Sequence, residues 1–313
     1  MRRFWQISLL LIVILLSLSV GVSAFDQHFF TSADQQFIFW TTRVPRTLSL
    51  LIAGSTLSVC GLVMQHLTQN KFVSPTTAGT MDSARLGILF VMIFLPQAPL
   101  LLRSAVAFLF AFGGTLVFVQ LTRFLPGKNQ IMVPLVGVMF GNIIGSVATF
   151  FAYQFQLVQN MSSWLQGNFA TVMRGSYELL YIAVPLLVIL YLFAHYFTVA
   201  GLGEEVAQNL GLNYRFVQVA GLALVALASS LVLIMVGTIP FLGVIVPNLV
   251  SLRYGDQMKK TLGITAWLGS IFLLSCDILA RIVIAPYEVP VSVIVGIIGS
   301  ICFITLLVRR QRA

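Results

Sequence analysis

Residues 201–215 read GLGEEVAQNLGLNYR and form a short polar segment between two apolar runs, 178–198 and 215–236. Each run is about 20 residues long, which is enough to cross a bilayer as a helix. The segment between them is therefore expected at a membrane surface, where water solvates its charges. Glu204 and Glu205 favour the start of a helix, because carboxylates stabilise the positive end of the helix dipole.

This polar segment predicts a short amphipathic helix at about residues 203–211. Val206 and Leu210 are four residues apart and share one face of it. Gly211 predicts the end of the helix, because glycine readily adopts the left-handed conformation that stops one. Such a helix is either a contact surface for a protein outside the membrane or an ordinary solvated loop helix, and the segment alone does not choose between them.

The composition of the chain is that of an integral membrane protein. It has 313 residues, of which 58% are hydrophobic and 9% charged, and its mean hydropathy is +0.98. Soluble domains carry roughly 25% charged residues. No soluble domain fits between the apolar runs, so we predict one transmembrane domain, 1–313, of an all-α polytopic fold with about ten transmembrane helices. The predicted runs are 4–24, 46–67, 80–100, 103–122, 131–153, 178–198, 215–236, 240–254, 261–280 and 290–308.

The net charge of +9 reflects membrane topology rather than nucleic-acid binding, because the Lys and Arg residues lie at the ends of the apolar runs. Most of them fall on the side of the two termini, so the positive-inside rule predicts both termini in the cytoplasm. Arg2, Arg3, the run 7–20 and the small residues 22–24 also fit a signal peptide. We favour a retained first helix, because the remaining runs then pair into a consistent topology.

The sequence contains no nucleotide-binding Gly-x-x-x-x-Gly-Lys-Ser/Thr motif, no His-Glu-x-x-His and no Cys-x-x-Cys. Cys60, Cys276 and Cys302 lie inside apolar runs without metal-ligand spacing. We therefore predict that the chain is not an enzyme and binds no metal or cofactor. The lack of a series of membrane-embedded carboxylates argues against an ion-driven carrier. Backbone carbonyls can also bind Na⁺, however, so an ion-coupled secondary transporter stays an alternative.

Three arginines are predicted on the side of the membrane opposite the termini. Arg43 and Arg46 precede the second run, and Arg281 precedes the last one. Arginine binds carboxylates bidentately, so these side chains are candidates for docking an acidic soluble protein. The alternative is a role within the chain, as interfacial anchors or as partners of Asp277 or Glu288.

Six motifs resemble, in order, those of the permease subunits of binding-protein-dependent ABC importers for iron(III)-siderophores, haem and vitamin B12, the FecCD family. The resemblance spans essentially the whole chain. Each motif is weak by itself, and their common order carries the resemblance. The motifs are Arg43-Val-Pro-Arg46-Thr-Leu, Gly61-x-x-x-Gln65-x-x-Thr68-x-Asn70, Gly203-Glu-Glu-x-Ala207-x-x-Leu-Gly211-x-Asn213, Gly237-x-Ile-x-Phe241-x-Gly243-x-x-x-Pro247, Asp277-x-x-Ala-Arg281 and Glu288-x-Pro290-Val.

The resemblance implies a type II ABC importer permease fold, in which two permease subunits, identical or related, enclose one translocation path. Two ATPase subunits, which hold ATP and Mg²⁺, would dock on the short helix. A periplasmic or lipid-anchored substrate-binding protein would dock through acidic residues on the outer arginines. The implied ATPase-coupling residues are Glu204, Glu205, Val206, Ala207, Leu210 and Gly211. The implied binding-protein contacts are Arg43, Arg46 and Arg281.

The same resemblance places the chain in the bacterial cytoplasmic (inner) membrane as an importer of an iron(III)-siderophore, with haem or cobalamin as alternative substrates. Three positions depart from the commoner family pattern. The loop 70–75 lacks one of the usual prolines, Asn248 stands where His is usual, and Thr238 stands where a proline is frequent. None of them touches the short helix, so the expectation of a transporter holds, while the substrate is left open.

Overall fold

The chain folds almost entirely into helices in the part that the structure describes. The predicted small-residue stretch 22–24 and the basic residues Lys128 and Arg312 lie outside that part. The computed structural model describes residues 2–20, 33–124 and 132–311.

A short π-helical segment, Phe39–Arg43, leads into α3, and a 3-10 segment, Glu178–Ile182, leads into α8. One isolated β-bridge joins Gln166 to Thr238. The α-helices of the described residues are α1 (Arg2–Ser19), α2 (Ala33–Ile38), α3 (Val44–Leu67), α4 (Thr80–Phe94), α5 (Leu100–Arg123), α6 (Met132–Gln154), α7 (Val158–Leu165), α8 (Ala183–Leu192), α9 (Ala194–Ala200), α10 (Glu204–Asn209), α11 (Tyr214–Val236), α12 (Leu242–Tyr254), α13 (Met258–Ile282) and α14 (Val291–Gln311).

Each of the ten predicted apolar runs falls on a helix, but not every helix is long enough to cross a membrane by itself. A sixth candidate span joins Glu178–Leu192 to Ala194–Ala200 across a 58° bend. Shorter apolar helices of 10–17 residues lie in α1, α12 and α14. The remaining run forms α4, which has 15 residues. Among the described residues, the five helices that are long and apolar enough are Asp34–Leu67, Leu100–Thr122, Met132–Gln154, Tyr214–Val236 and Met258–Ile282.

Helix α3 lies at the centre of the bundle. It packs against α11, α12 and α13, and most of its residues are buried. Gly61 of α3 meets Gly243 of α12 directly, because a Cβ atom on Gly61 would lie 1.9 Å from the carbonyl oxygen of Gly243. Small residues let membrane helices approach closely. These two motif glycines therefore hold α12 against the central helix.

Helix α1 packs against α13 and α3, and whether it is retained stays a prediction. The indole Nε1 of Trp267 donates a hydrogen bond to the carbonyl oxygen of Gln6 at 2.9 Å. At the other end of α1, Ser17 Oγ lies 3.2 Å from Thr47 Oγ1 of α3. Both ends of α1 are thus attached to the core of the bundle.

The two ends of α3 define two polar regions of the molecule. Arg46 lies in its first turn, and Leu67 at its last residue belongs to the same buried cluster as Ala207 of α10. Helix α3 has 24 residues, so its ends are about 36 Å apart. That length exceeds the roughly 30 Å hydrocarbon core of a bilayer. We call the end of the bundle that contains Arg46 the arginine end, and the end that contains Leu67 and Ala207 the α10 end. The two ends therefore face opposite sides of the membrane.

Candidate functional site

The short helix predicted from the polar segment is present as α10, Glu204–Asn209. Gly211 has φ +81°, the left-handed conformation predicted for the end of the helix. Its amide donates to the carbonyl oxygen of Gln208, and the amide of Leu212 donates to that of Ala207, both at 2.9 Å. These bonds close the last turn, so the predicted helix and its end are confirmed.

The outer face of α10 carries an apolar ridge. It consists of Leu202, just before the helix, Val206, within it, and Leu210, at its C-terminal cap, whose exposed fractions are 58%, 46% and 65%. Glu204 and Glu205 are exposed as well. Several exposed apolar side chains on one short polar segment are typical of a protein–protein contact. The geometry therefore favours a docking surface over an ordinary solvated loop helix.

The inner face of α10 is anchored by Ala207. This residue is fully buried in the hydrophobic cluster that contains Leu67 of α3, Phe197 of α9 and Val217 of α11. Ala207 was among the predicted coupling residues, but its side chain faces the bundle. Its contribution is therefore to hold α10 in place through packing, while Val206 and Leu210 face outward.

A cleft of about 320 Å³ lies beside α10 and joins it to the rest of the bundle. Gly201 and Leu202 line one side, and His66, Lys71 and Asp256 are on the other. The imidazole Nε2 of His66 lies 2.9 Å from the carbonyl oxygen of Asp256. A Cβ atom on Gly201 would lie 3.0 Å from His66 Cδ2. The segment just before α10 therefore lies against α3 and close to the start of α13.

An ion pair that lines this cleft joins a mostly buried lysine, Lys71, to an exposed carboxylate, Asp256. Lys71 Nζ donates to the carboxylate of Asp256 and, at 3.1 Å, to Ser251 Oγ. The side chain of Asp256 is 58% exposed. Partial burial raises the pKa of Asp256, but hydrogen bonds from Lys71 and Ser251 and the charge of Lys71 outweigh it, so the pKa lies below its ordinary value.

At the arginine end, Asp277 of α13 is fully buried and accepts hydrogen bonds from two arginines. Its Oδ1 accepts from Arg46 Nε at 3.1 Å and from Arg46 Nη2 at 2.7 Å. Its Oδ2 accepts from Arg281 Nε at 2.8 Å and from Nη2 of the same guanidinium. One carboxylate therefore orients both guanidinium groups, through charge-assisted bonds that are stronger than neutral ones.

The arginines also bind the C-terminal end of α1. Arg281 Nη1 donates to the carbonyl oxygen of Ser17 at 2.8 Å and to that of Val20 at 2.5 Å. Arg43 Nη1 donates to the carbonyl oxygen of Leu18 at 2.8 Å. Cations are stabilised at the negative end of a helix dipole. This end of α1 therefore helps to offset the cost of burying the arginines.

Glu288, in the loop between α13 and α14, is the fourth charged member of the cluster. Its Oε2 accepts from Arg46 Nη1 at 2.7 Å. The exposed side-chain fraction rises from 0% for Asp277 and 4% for Arg281 to 11% for Arg46 and 19% for Glu288. Among the described residues, Arg46 and Arg281 are paired with Asp277 and Glu288, and Glu288 is on the outer side of these four.

The structure thus gives each of the three predicted docking arginines a partner within the chain. The internal pairing with Asp277 and Glu288, which the sequence left open, is present. Docking of a soluble protein by Arg43, Arg46 and Arg281 stays a prediction. Arg46 is more exposed than Arg281 and is bound to the outermost carboxylate.

The FecCD transport family model matches residues 9–309, nearly the whole chain. The chain belongs to the FecCD transport family. It is 48% identical over 313 residues to the petrobactin import system permease protein YclN of Bacillus subtilis, with 99% of both chains covered. It is 40% identical over 272 residues to the ferric-anguibactin transport system permease protein FatD of Vibrio anguillarum, with 87% of both chains covered.

Solved structures confirm the fold of this FecCD chain. An ABC transporter of the metal-chelate type in an inward-facing conformation matches it with a TM-score of 0.81 at 23% identity, over 98% of both chains. PsaBC of Streptococcus pneumoniae matches with a TM-score of 0.61 at 13% identity. At these identities the likeness shows the fold alone. It is the expected type II ABC importer permease fold.

Two departures from the FecCD pattern prove to have hydrogen-bonding roles. Thr238 donates to the carbonyl oxygen of Leu165 through its amide at 3.1 Å and through Oγ1 at 2.8 Å. A proline at this position has no amide hydrogen to donate. Asn248 Nδ2 donates to the carbonyl oxygen of Lys71 at 2.6 Å and so attaches α12 to the loop after α3.

Sequence reasoning missed the contribution of α1 to the arginine end. Ser17 belongs to no recognisable motif. Its Oγ nevertheless accepts a hydrogen bond from Arg281 Nη2 at 2.9 Å. A hydroxyl in an apolar helix was the available signal, but its partner depends on how α1 packs.

Within the described residues, no group of three or more His, Cys, Asp or Glu side chains could hold a metal ion.

Proposed function

We propose that this chain is a permease subunit of an ABC importer that moves a ferric siderophore across the bacterial inner membrane into the cytoplasm. The observation that carries the proposal is its end-to-end similarity to permeases named for petrobactin and ferric anguibactin, at 48% and 40% identity. The chain supplies the membrane path with a second permease subunit, and catalyses no reaction itself. ATP and Mg²⁺ are bound by partner ATPase subunits.

Helix α10 is the proposed contact for the ATPase. The apolar ridge of Leu202, Val206 and Leu210 supplies the area that an interface buries, and Glu204 and Glu205 supply polar contacts at its rim. Interfaces of this type have an apolar centre and a polar edge. This assignment places the α10 end and both termini in the cytoplasm, and the arginine end outside.

Force on α10 reaches the membrane helices through short connections. Ala207 is packed against α3, α9 and α11, and Gly201 contacts His66 of α3. A small displacement of α10 is therefore transmitted as a movement of packed helices rather than absorbed by a loop. Closure of the ATPase subunits on ATP would in this way reorient the permease as a set of rigid bodies.

The proposal is tested by uptake of radioactive ferric petrobactin and other labelled ferric siderophores in cells with and without this gene. We expect deletion to abolish uptake of at least one siderophore, and a plasmid copy to restore it. Loss of the partner ATPase should abolish the same uptake. Uptake that requires only a proton or sodium gradient would instead support a secondary transporter. A defect confined to haem or cobalamin would change the substrate but keep the importer.

Leu210→Asp tests the docking role of α10. Leu210 is 65% exposed, so aspartate is tolerated by the isolated chain but places a charge in the centre of the proposed interface. Removal of a hot-spot residue costs about 2 kcal/mol or more, and aspartate at this position would also bury an unpaired charge in the interface. We therefore expect at least a tenfold loss of ATP-dependent uptake, with normal amounts of the protein in the membrane.

Leu252→Asp is the matched control for this variant. Leu252 lies at the C-terminal end of α12, on the same side of the bundle, and is 67% exposed. It is not on α10, so uptake should stay near the wild-type level. Equal loss of uptake in both variants, or normal uptake with Leu210→Asp, would show that α10 is not the ATPase contact.

A further inference from the structure

The two carboxylates at the arginine end are held very differently. Asp277 accepts four hydrogen bonds from two guanidinium groups and is fully buried. Within the described chain, Glu288 accepts one hydrogen bond, from Arg46 Nη1, and its side chain is 19% exposed. Asp277 belongs to a long helix, whereas Glu288 belongs to the loop 283–290. Glu288 is therefore the carboxylate that can be removed at the lower cost.

The charge balance of the cluster limits how an external carboxylate can bind. Arg46 already uses Nε and Nη2 on Asp277 and Nη1 on Glu288. Arg46 and Arg281 already face two carboxylates among the described residues, so a third carboxylate on Arg46 would lie beside Asp277 and Glu288 and be repelled by both. Unbalanced charge in a partly desolvated site is costly. A carboxylate that arrives from outside therefore competes with Glu288 for Arg46 Nη1.

We propose that Glu288 is an exchangeable internal carboxylate, which an acidic side chain of the substrate-binding protein replaces on Arg46 Nη1 during docking. Asp277 stays in place and keeps both arginines oriented throughout. The proposal rests on the docking of an acidic binding protein at the arginine end. It identifies the resident group that occupies the docking position before the partner arrives.

Exchange at Arg46 connects docking to the membrane helices. Glu288 lies three residues before α14 begins at Val291. The amide of Val289 donates to the carbonyl oxygen of Ala280 at 3.1 Å, so the loop stays attached to α13 when Glu288 is released. Release of Glu288 therefore loosens a short stretch next to α14 without detaching it. The signal of docking reaches a transmembrane helix directly.

The test measures the dissociation constant between the importer, reconstituted in lipid nanodiscs, and its substrate-binding protein. The binding protein used is the one whose deletion abolishes uptake of the same ferric siderophore. Glu288→Gln removes the competing charge but keeps the size of the side chain. Because a partly exposed pair contributes up to about 1 kcal/mol, we expect the Kd to fall roughly two- to fivefold.

Arg46→Gln is the companion variant. It separates the proposal that Glu288 is exchanged from the proposal that the binding protein docks at the arginine end. If it weakens docking while Glu288→Gln does not strengthen it, the exchange is wrong and docking at the arginine end stands. If neither variant changes the Kd, docking at this end is itself wrong. Hydrogen–deuterium exchange of the loop 283–290 in the wild-type importer gives a readout that does not depend on any variant. Exchange should accelerate when the binding protein saturates the importer, and unchanged or slower exchange would overturn the proposal.

Discussion

The α10 end and the arginine end have opposite surface chemistry, although we propose that both bind a partner protein. The α10 end exposes apolar side chains, and the arginine end holds paired charges. At the α10 end, apolar side chains such as Leu210 are exposed on the surface of the chain. At the arginine end, Arg46 and Arg281 are satisfied by Asp277 and Glu288 before any partner arrives. If both ends dock partners as proposed, an apolar docking surface is left open, whereas a charged one is occupied by a carboxylate of the same chain.

The difference follows from the cost of an unpaired group at each end. Leaving an apolar side chain such as leucine exposed forgoes about 25 cal/mol of stabilisation for each Å² that burial would have removed from water. A desolvated guanidinium without a counter-ion costs several kcal/mol. Arg281 is nearly buried, so it needs a resident carboxylate at all times. Only the outer part of the cluster, Arg46 with Glu288, is free to change partner.

Asp277→Asn is expected to have the largest effect on stability. Loss of this charge leaves Arg46 and Arg281 close together without their common counter-ion. Breaking a buried ion pair in this way costs about 3–5 kcal/mol. We expect the free energy of unfolding of the purified chain in detergent to fall by this amount, as measured by denaturant titration.

The double variant Asp277→Asn, Arg281→Met provides the control. Methionine removes the second charge and keeps much of the volume, so part of the lost stability should return. No recovery would show that Asp277 acts through something other than charge neutralisation. If Asp277→Asn lowers the free energy of unfolding by less than about 1 kcal/mol, the cluster contributes no more than exposed ion pairs do. The argument that the arginines need a permanent carboxylate would then fail.

Gly211→Ala has a smaller expected effect, confined to the α10 end. Gly211 has φ +81°, where a side chain costs about 1–2 kcal/mol. We expect amides of the segment 204–212 to exchange with deuterium about tenfold faster, because local opening becomes easier by that amount. Gly113→Ala is the control, since Gly113 lies inside α5 and a Cβ atom there would have no neighbour within 4 Å. Equal protection in wild type and Gly211→Ala would mean that the backbone conformation at Gly211 does not hold α10.

The α10 end could be predicted from the sequence because its information is local. Helix start, exposed face and end depend on residues within about ten positions of one another, and Gly211 has the predicted conformation. The inward direction of Ala207 was not predicted. It depends on where α3, α9 and α11 lie, which the spacing along α10 does not encode.

The arginine end could be predicted only in part. Asp277 and Arg281 are one helical turn apart, and their pairing was a visible alternative. The addition of Arg46 joins residues 231 positions apart in the chain, and the carbonyl partners from α1 are main-chain groups without any sequence signature. Thr238 shows the same limit, because its bond to Leu165 explains an absent proline only once both segments are in place.

Asp256→Asn should have the smallest effect on the free energy of unfolding. It shows how much an exposed carboxylate contributes, for comparison with the buried Asp277. The Lys71–Asp256 pair has Asp256 58% exposed, against 0% for Asp277. Exposed pairs contribute up to about 1 kcal/mol, so the free energy of unfolding should fall by less than that. The pKa of Asp256 is lowered in the folded chain. Its contribution is therefore present above the unfolded pKa of about 3.9 and is lost as the pH falls through the folded value.

Salt separates this pair from the one at the arginine end. At 1 M salt the Debye length is about 3 Å, so the difference between Asp256→Asn and wild type should largely disappear. The difference between Asp277→Asn and wild type should persist, because a buried pair is screened much less. If both differences vanish in salt, then water and ions reach Asp277 as readily as Asp256. The internal carboxylates would then not be needed to keep the arginines paired.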